Sequence, residues 1–173
     1  DYLVADSLGI QSFLMKTYKK ESTYIAYGAH LFNTPNENIL QQYQVEKGNY
    51  NMVMARFEPE NNIDMVLEGV ALDKENQTPI LVIGKHETKY GAYLKNKFKD
   101  FSNIRFLGGV YNLEHLNNLR YFSNLYFHGH SVGGTNPSLL EAMASQALVI
   151  AHNNDFNKGV LKENAYYFSN PKE

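Results

Sequence analysis

The sequence of 173 residues contains no cysteine. Disulfides, thiolate catalysis and cysteine-ligated metals are therefore excluded, and the composition fits a reducing compartment. The sequence also lacks an excess of positive charge, because 16 Lys and Arg residues stand against 18 Asp and Glu residues, a formal net charge of -2. Bulk charge cannot recruit a polyanion, so we expect no nucleic-acid partner and expect any phosphate to be held by a local site.

Long apolar runs are also missing. None approaches the roughly 20 residues of a membrane span, and the first residues do not form a charged-then-apolar signal segment. We therefore expect a cytoplasmic protein that touches a membrane at most peripherally, at its inner face. The chain begins with Asp1 instead of methionine, which indicates a piece of a longer protein. With 43% hydrophobic residues, it can bury one full core and part of a second.

From Tyr50 onward, short apolar segments alternate with helical patterns. This alternation predicts the α/β class, with a Rossmann-like parallel sheet covered by helices on both faces. The predicted strands are 52–55, 80–83, 104–107, 125–128, 148–151 and 166–168. The predicted helices are 62–72, 90–99, 113–121 and 137–146.

The first residues predict a smaller unit. Residues 3–7, 10–19 and 23–27 have the patterns of a strand, a helix and a strand, which together are too small to fold alone. A polar stretch with one proline follows and predicts a linker. We therefore place a terminal strand-helix-strand at residues 1–33 and the main domain at residues 34–173.

A short stretch before the last predicted helix has the pattern of a phosphate-binding helix start. Gly133 and Gly134 let the backbone pass close to a ligand, Asn136 is a good N-cap, and Pro137 fits the first helical position. The free amides and the dipole of such a helix start suit an anion. The side chain of Glu141 leans back toward the helix N-terminus, so its carboxylate can reach a ligand held by the amides. A phosphate that carries a sugar hydroxyl would satisfy both groups.

Ordinary structural roles remain open for the same residues. The glycine pair can be a tight turn before a helix, and Glu141 can be a solvated residue that pairs with a lysine or arginine. Glu141 does not occupy the third helical position that a capping box would need. Apolar residues recur behind the helix start at helical spacing and are expected to bury one side of the helix: Leu139, Leu140, Met143, Ala144 and Ala147.

Arg56 follows the first predicted strand of the main domain, at the sheet edge where open α/β sheets bind ligands. It is our candidate for a diphosphate clamp, and the alternative is a surface salt bridge with Glu58 or Glu60. His128 and His130 have a spacing that could ligate a metal, but no third ligand is spaced nearby. We therefore expect no metal, and a histidine that either lies near phosphate or makes a structural hydrogen bond.

Several enzyme classes lack their motifs. There is no Gly-x-Ser-x-Gly elbow, no Gly-Lys-Ser/Thr phosphate loop, and no Gly-x-Gly-x-x-Gly after the first strand. Hydrolase, nucleoside triphosphatase and dehydrogenase functions are all disfavoured.

Three stretches together resemble a known family. They are Arg56 after its strand, the turn FLGGV that ends at Val110, and the sequence LEAMASQALVIA that begins at Leu140. With these, residues 52–168 resemble the C-terminal, nucleotide-sugar-binding domain of GT-B glycosyltransferases of the retaining family 4 type. The resemblance implies a nucleotide-diphosphate sugar as donor, no cofactor and no metal. It also implies that residues 1–33 end an acceptor-binding domain.

The resemblance also implies roles for single residues. Arg56 and the loop amides would hold the diphosphate, Glu141 the ribose, and Val110 would lie by the base. Asn61 stands where the family usually has a diphosphate-binding lysine. Gly133 stands where the family has a glutamate that touches the transferred sugar, so His130, Ser131 or the loop amides would take over that contact. The predicted donor-binding residues are Arg56, Asn61, Val110, His130, Gly133, Gly134, Thr135, Asn136, Ser138 and Glu141, and no catalytic residue is assigned.

The pattern at 128–137, with 154–157 downstream, is similar to bacterial rhamnosyltransferase-like members of the family. We therefore expect sugar transfer to a saccharide or lipid-linked acceptor in bacterial surface polysaccharide synthesis, with this piece able to bind the donor but not to turn it over. A GT-B-type sugar-nucleotide epimerase and a non-catalytic nucleotide-binding module remain as alternatives. The glycine at 133 argues against the epimerase, which would need acidic residues at the sugar. The base, sugar, acceptor and oligomeric state stay open.

Overall fold

Two parallel sheets and the helices around them make up this computed structural model, which describes residues 2–75 and 77–173. The strands are β1 (Val4–Ala5), β2 (Thr23–Tyr24), β3 (Asn51–Met54), β4 (Ile80–Ile83), β5 (Ile104–Gly108), β6 (Leu125–His128), β7 (Val149–His152) and β8 (Tyr166–Phe168). The α-helices are α1 (Leu8–Tyr18), α2 (Ile63–Leu72), α3 (Lys89–Lys97), α4 (Leu113–Phe122), α5 (Pro137–Ala144) and α6 (Asp155–Leu161). Two 3-10 helices span Glu37–Tyr43 and Pro59–Asn61. Asp1, the first residue of the predicted N-terminal unit, lies outside the described residues.

The larger sheet has the strand order β5-β4-β3-β6-β7-β8, and all its neighbouring strands are parallel. In register, Val53 of β3 lies beside Val82 of β4 and Phe127 of β6. The chain proceeds in one direction from β3 through β4 to β5, and then crosses to the other side of β3 to form β6. The carboxyl ends of β3 and β6 therefore flank the topological switch point, where sheets of this type hold their ligands.

Both faces of this sheet are buried because helices cover each of them. Leu81 and Tyr126 pack with Leu119 of α4 and Leu139 of α5 on one face. On the other face, Val82 lies in the cluster that contains residues of α2 and α3. The continuous apolar strands in the sequence follow from this two-sided burial. The predicted α/β class, with its Rossmann-like parallel sheet, is confirmed.

The strands and longer helices lie within a few residues of their predicted bounds. Sequence reasoning missed α6 and the 3-10 helix at Glu37–Tyr43, which span only seven residues each. On α5, Leu139 and Ala144 are buried as predicted, but Met143 is 41% exposed and Ala142, which was not predicted to be buried, is fully buried. The buried face of α5 therefore contains Ala142 in place of Met143.

The N-terminal unit of β1, α1 and β2 lies beside the start of α5. β1 and β2 pair in parallel, and α1 packs on α6, where a Cβ on Gly9 would lie 3.7 Å from the Phe156 ring. The Thr135 hydroxyl donates to the backbone oxygen of Asp6 at 3.1 Å. The N-terminal unit is therefore in direct contact with the predicted glycine loop. The predicted division at residues 33 and 34 stays a prediction.

Candidate functional site

A cleft of about 660 Å³ opens at the carboxyl edge of the larger sheet, at the switch point. Its walls come from the segments that follow β3, β4, β5 and β6 and from the first two turns of α5. The predicted site residues that line it are Arg56, Val110, His130, Asn136, Ser138 and Glu141. The topology thus brings to one cleft six residues that are up to 85 positions apart in the sequence.

The other four predicted residues do not line the cleft. The Asn61 side chain is buried and donates to the backbone oxygen of Arg56 at 2.8 Å, so it supports the loop that carries this arginine. Gly134 and Thr135 lie beside Asp6 of the N-terminal unit, whereas Gly133 is exposed, with a φ of +105°. A Cβ on Gly134 would stand only 2.7 Å from an Asp6 carboxylate oxygen, so a larger residue there would have to displace the Asp6 side chain. Their contact with a donor stays a prediction.

The start of α5 has the predicted geometry. Asn136 has extended backbone angles, and its side-chain oxygen accepts from the Ser138 amide at 3.0 Å and from the Ser138 hydroxyl at 2.9 Å. Pro137 occupies the first helical turn. The backbone amides from Gly133 to Asn136 donate no hydrogen bond within the described residues. This helix start therefore leaves donors for an anion.

Arg56 is exposed and forms no salt bridge with any described residue. The structure therefore does not contain the alternative salt bridge of Arg56 with Glu58 or Glu60. A guanidinium in a cleft of this kind can clamp two oxygens of a phosphate group through parallel hydrogen bonds.

Glu141 lies on the wall of the cleft and meets an arginine that sequence reasoning missed. The Arg120 Nη2 atom donates to Glu141 Oε2 at 2.5 Å, with side chains 0% and 37% exposed respectively. Arg120 also donates to the Asn117 side-chain oxygen at 3.2 Å. One signal was present in the sequence, because Arg120 lies four residues after Leu116 and thus on the apolar face of α4.

His128 and His130 stack with their ring centroids 4.3 Å apart. Burial and the neighbouring His130 hold the pKa of His128 well below its usual value. Burial, and secondarily the charge of Arg56, lower the pKa of His130 to about 4, against the raising effect of Glu60. Both imidazoles are therefore neutral near pH 7, and His130 can exchange hydrogen bonds in the cleft without adding charge. Among the described residues, no group of three or more His, Cys, Asp or Glu could hold a metal ion.

The opposite wall comes from the turns after β4 and β5. Gly84 has a φ of +152°, and a Cβ there would collide with the Ala55 carbonyl oxygen. The Gly84 amide donates to the Gly108 oxygen at 2.9 Å, which holds the two turns together. Val110 and the exposed Tyr111 then extend along the cleft. This wall offers apolar and aromatic surface, whereas Arg56 and the start of α5 offer charge and amides.

Residues 35–172 match the sequence pattern of the family described as glycosyl transferases group 1. The chain belongs to this family. No curated protein sequence matches the chain.

Among solved structures, HepE of Anabaena in complex with UDP and glucose superposes with a TM-score of 0.86 at 16% identity, over 99% of this chain and 51% of that one. A glycosyltransferase from Rickettsia africae has a TM-score of 0.81 at 16% identity, over 99% and 50%. Sucrose-phosphate synthase from Thermosynechococcus elongatus has a TM-score of 0.78 at 17% identity, over 100% and 46%. These likenesses establish the GT-B Rossmann-like fold.

The chain therefore spans about half the length of each of these structures. None of the described helices combines the length and the apolar character that crossing a bilayer requires.

Proposed function

We propose that this member of the family binds a nucleotide-diphosphate sugar and forms the donor-binding half of a retaining, metal-independent glycosyltransferase of the family 4 type. The observation that carries the proposal is Arg56, which forms no salt bridge with any described residue and lines the same cleft as the start of α5 and Glu141. A diphosphate needs positive charge and amide donors, and a ribose needs an acceptor close to them. HepE, which shares the fold, has been crystallised with UDP-glucose.

The groups that would bind the diphosphate would also stabilise it as the leaving group of sugar transfer. When a sugar leaves its nucleotide, negative charge grows on the departing diphosphate, and preorganised donors stabilise that charge. Here the guanidinium of Arg56 and the amides before Pro137 take this role. The neutral His130 contributes a hydrogen bond, and it stands near the position where the family places its sugar-contacting glutamate.

The finer assignments rest on the sequence pattern. We propose a rhamnosyltransferase-like, hexosyl-transferring enzyme of bacterial surface polysaccharide synthesis, which acts in the cytoplasm or at the inner face of the membrane. The acceptor, a saccharide or a lipid-linked saccharide, would be bound by the acceptor-side half. Residues 1–33 are proposed to belong to that half.

Calorimetric titration of the chain with UDP, GDP, dTDP and their sugars tests the proposal. At least one of these nucleotides should bind, and Arg56→Gln should weaken it about ten- to hundredfold, because hydrogen bonds to charged groups contribute roughly 1.5–3 kcal/mol. Lys95→Gln on the exposed face of α3 is the matched control, since it removes the same charge away from the cleft. Absence of binding by every nucleotide, or equal losses for the two variants, would contradict the proposal.

A further inference from the structure

Arg120 is an unusual residue for the core of this domain. Its side chain is fully buried beneath the wall of the cleft, on α4, whereas Glu141 extends to the surface of the cleft from α5. A guanidinium loses much of its hydration on burial, and an apolar side chain of similar size would often give equal or greater stability. Its presence therefore calls for a contribution other than packing.

The surroundings of Arg120 fix its orientation without satisfying it completely. Nη1 donates to Asn117, Nη2 to Glu141, and Nη2 also lies 3.4 Å from the Met54 sulfur at the end of β3. Its Nε atom has no hydrogen-bond partner among the described residues. The guanidinium is thus attached to the sheet edge on one side and to Glu141 on the other. The pair with Glu141 is its only contact with a charged group within the described part of the chain.

Because Arg120 pairs with only one of them, the two carboxylate oxygens of Glu141 differ in their hydrogen bonding. Oε2 accepts the bond from Arg120, while Oε1 accepts none from any described residue. A free glutamate on a helix has several rotatable bonds, and ordering it on ligand binding reduces affinity. A carboxylate already fixed through one oxygen presents the other without that loss.

We propose that Arg120 is a positioning residue that orients the Glu141 carboxylate toward the two hydroxyls of a ribose. This inference rests on the proposed nucleotide-binding function and deepens it, because it assigns ribose recognition to an Arg120–Glu141 unit. The predicted effect is specific for the sugar of the nucleotide. Loss of Arg120 should reduce the preference for a ribonucleotide over its dideoxy analogue, whereas a residue that only supports the fold should affect both ligands equally.

The test measures dissociation constants of UDP, GDP and their 2′,3′-dideoxy analogues by calorimetry. For the unsubstituted chain we expect a ribose preference of about tenfold or more for the base that binds, equivalent to about 1.4 kcal/mol. Arg120→Met should reduce this preference to about threefold or less. Arg120→Lys keeps the positive charge but lacks the planar set of N–H donors of a guanidinium, so it should give an intermediate value. Leu116→Ala is the control, since it perturbs the same buried face of α4 and leaves the ion pair intact.

The outcomes distinguish the positioning role of Arg120 from nucleotide binding itself. A full ribose preference in Arg120→Met, or an equal loss of preference in Leu116→Ala, overturns the positioning role and leaves nucleotide binding in place. Equal affinity of the unsubstituted chain for ribo- and dideoxynucleotides overturns the ribose assignment of Glu141. Absence of binding by UDP, GDP and dTDP alike overturns the proposed function itself, and binding of dTDP alone, whose sugar has no 2′-hydroxyl, overturns the ribose assignment. If Arg120→Met does not fold, Arg120→Lys and Glu141→Gln carry the same comparison, because Glu141→Gln alters the pair from its exposed side.

Discussion

At the scale of single residues, the arginine that lines the cleft and the arginine buried beneath its wall have opposite surroundings. Arg56 is exposed and forms no salt bridge with a described residue, whereas Arg120 is buried and paired with Glu141. An exposed, unpaired guanidinium is available to a ligand, and a buried, paired one organises the protein around it. Glu141 lies between the buried Arg120 and the cleft, because it pairs with Arg120 and also lines the cleft.

Replacement of Glu141 by alanine should weaken nucleotide binding by about 1–3 kcal/mol, because a ribose hydroxyl would lose its acceptor. The same change leaves Arg120 buried without its charged partner, so the free energy of unfolding should fall as well. Binding is therefore measured by calorimetry at a temperature where circular dichroism shows the variant to be folded. Glu163→Ala, an exposed position outside the cleft, is the charge-matched control. Unchanged affinity in Glu141→Ala would contradict the assignment.

His130 should make the stability of the protein sensitive to mild acid. Its pKa falls from an ordinary 6.5 to about 4 in the folded chain, so between these values the unfolded chain binds more protons at this residue. Stability is therefore lost as the pH falls below 6.5, and at pH 5 the loss from His130 alone is about 2 kcal/mol. Urea unfolding at pH 7 and pH 5 measures it. His130→Asn should lose less stability over this interval than the unsubstituted chain, and equal losses would contradict the pKa shift.

The role of a single residue can be predicted from the sequence when it lies next to the end of a helix or strand, but not when it depends on a partner that is distant in the sequence. Arg56 and Asn136 were found because each directly follows or precedes a recognisable element. Arg120 was missed because a charged side chain in the last turn of a helix is normally read as solvated, and its partner is 21 positions away. Asn61 was assigned to the ligand by alignment alone, whereas its side chain is hydrogen-bonded to the backbone of Arg56.

At the scale of elements, the start of α5 is the part on which the proposed diphosphate contact depends. Asn136 ends the loop and Pro137 begins the helix, so the loop amides stay outside the helical hydrogen-bond pattern. The cap is formed by the Asn136 side chain, which occupies the Ser138 amide and hydroxyl. Affinity for an anion at this position should therefore depend on the cap as well as on charge.

Replacement of Asn136 by alanine should lower the free energy of unfolding by about 1 kcal/mol and should also weaken nucleotide binding. Asn112→Ala is a matched control, because Asn112 caps α4 in the same way through the His115 amide but lies outside the cleft. It should give a similar loss of stability with unchanged affinity. Denaturant titrations and calorimetry on both variants separate these effects. Equal affinities for the two variants would show that the cap has no part in binding.

Elements with strong periodicity were predicted well, and short polar ones were not. The buried strands are runs of four or five mostly apolar residues. Burial on both faces of the sheet produces this pattern, and it can be recognised from the sequence alone. α6 begins at a polar segment with Asn154 as its cap, includes Gly159, and buries mainly Asn157 and Leu161. Such a helix is stabilised by its tertiary contacts, which the sequence does not display. The unpredicted exposure of Met143 has the same origin.

At the scale of the whole molecule, the two sheets differ in how much core they share. The six-stranded sheet is buried on both faces, and its central strands have almost no exposure. The N-terminal unit has one buried apolar residue in its two strands, Ala5, and none in α1. It is connected to the main domain through the Thr135 hydroxyl, the packing of α1 on α6, and a backbone hydrogen bond from the Phe32 amide to the Ala144 oxygen.

This difference predicts that the N-terminal unit opens well before the main domain unfolds. In α1, Leu8, Phe13 and Tyr18 are 63%, 51% and 60% exposed, so its local opening exposes little additional apolar surface and has a low free energy. Hydrogen exchange of the 173-residue chain should show α1 amides exchanging at least about a hundredfold faster than β4 amides, equivalent to about 2.7 kcal/mol. The amides of α6, which packs on α1 but buries Leu161 in the main core, should be intermediate. Equal protection of α1 and β4 would contradict this prediction. It would mean that the two units unfold together, and that the contacts between them stabilise the N-terminal unit as strongly as the core stabilises β4.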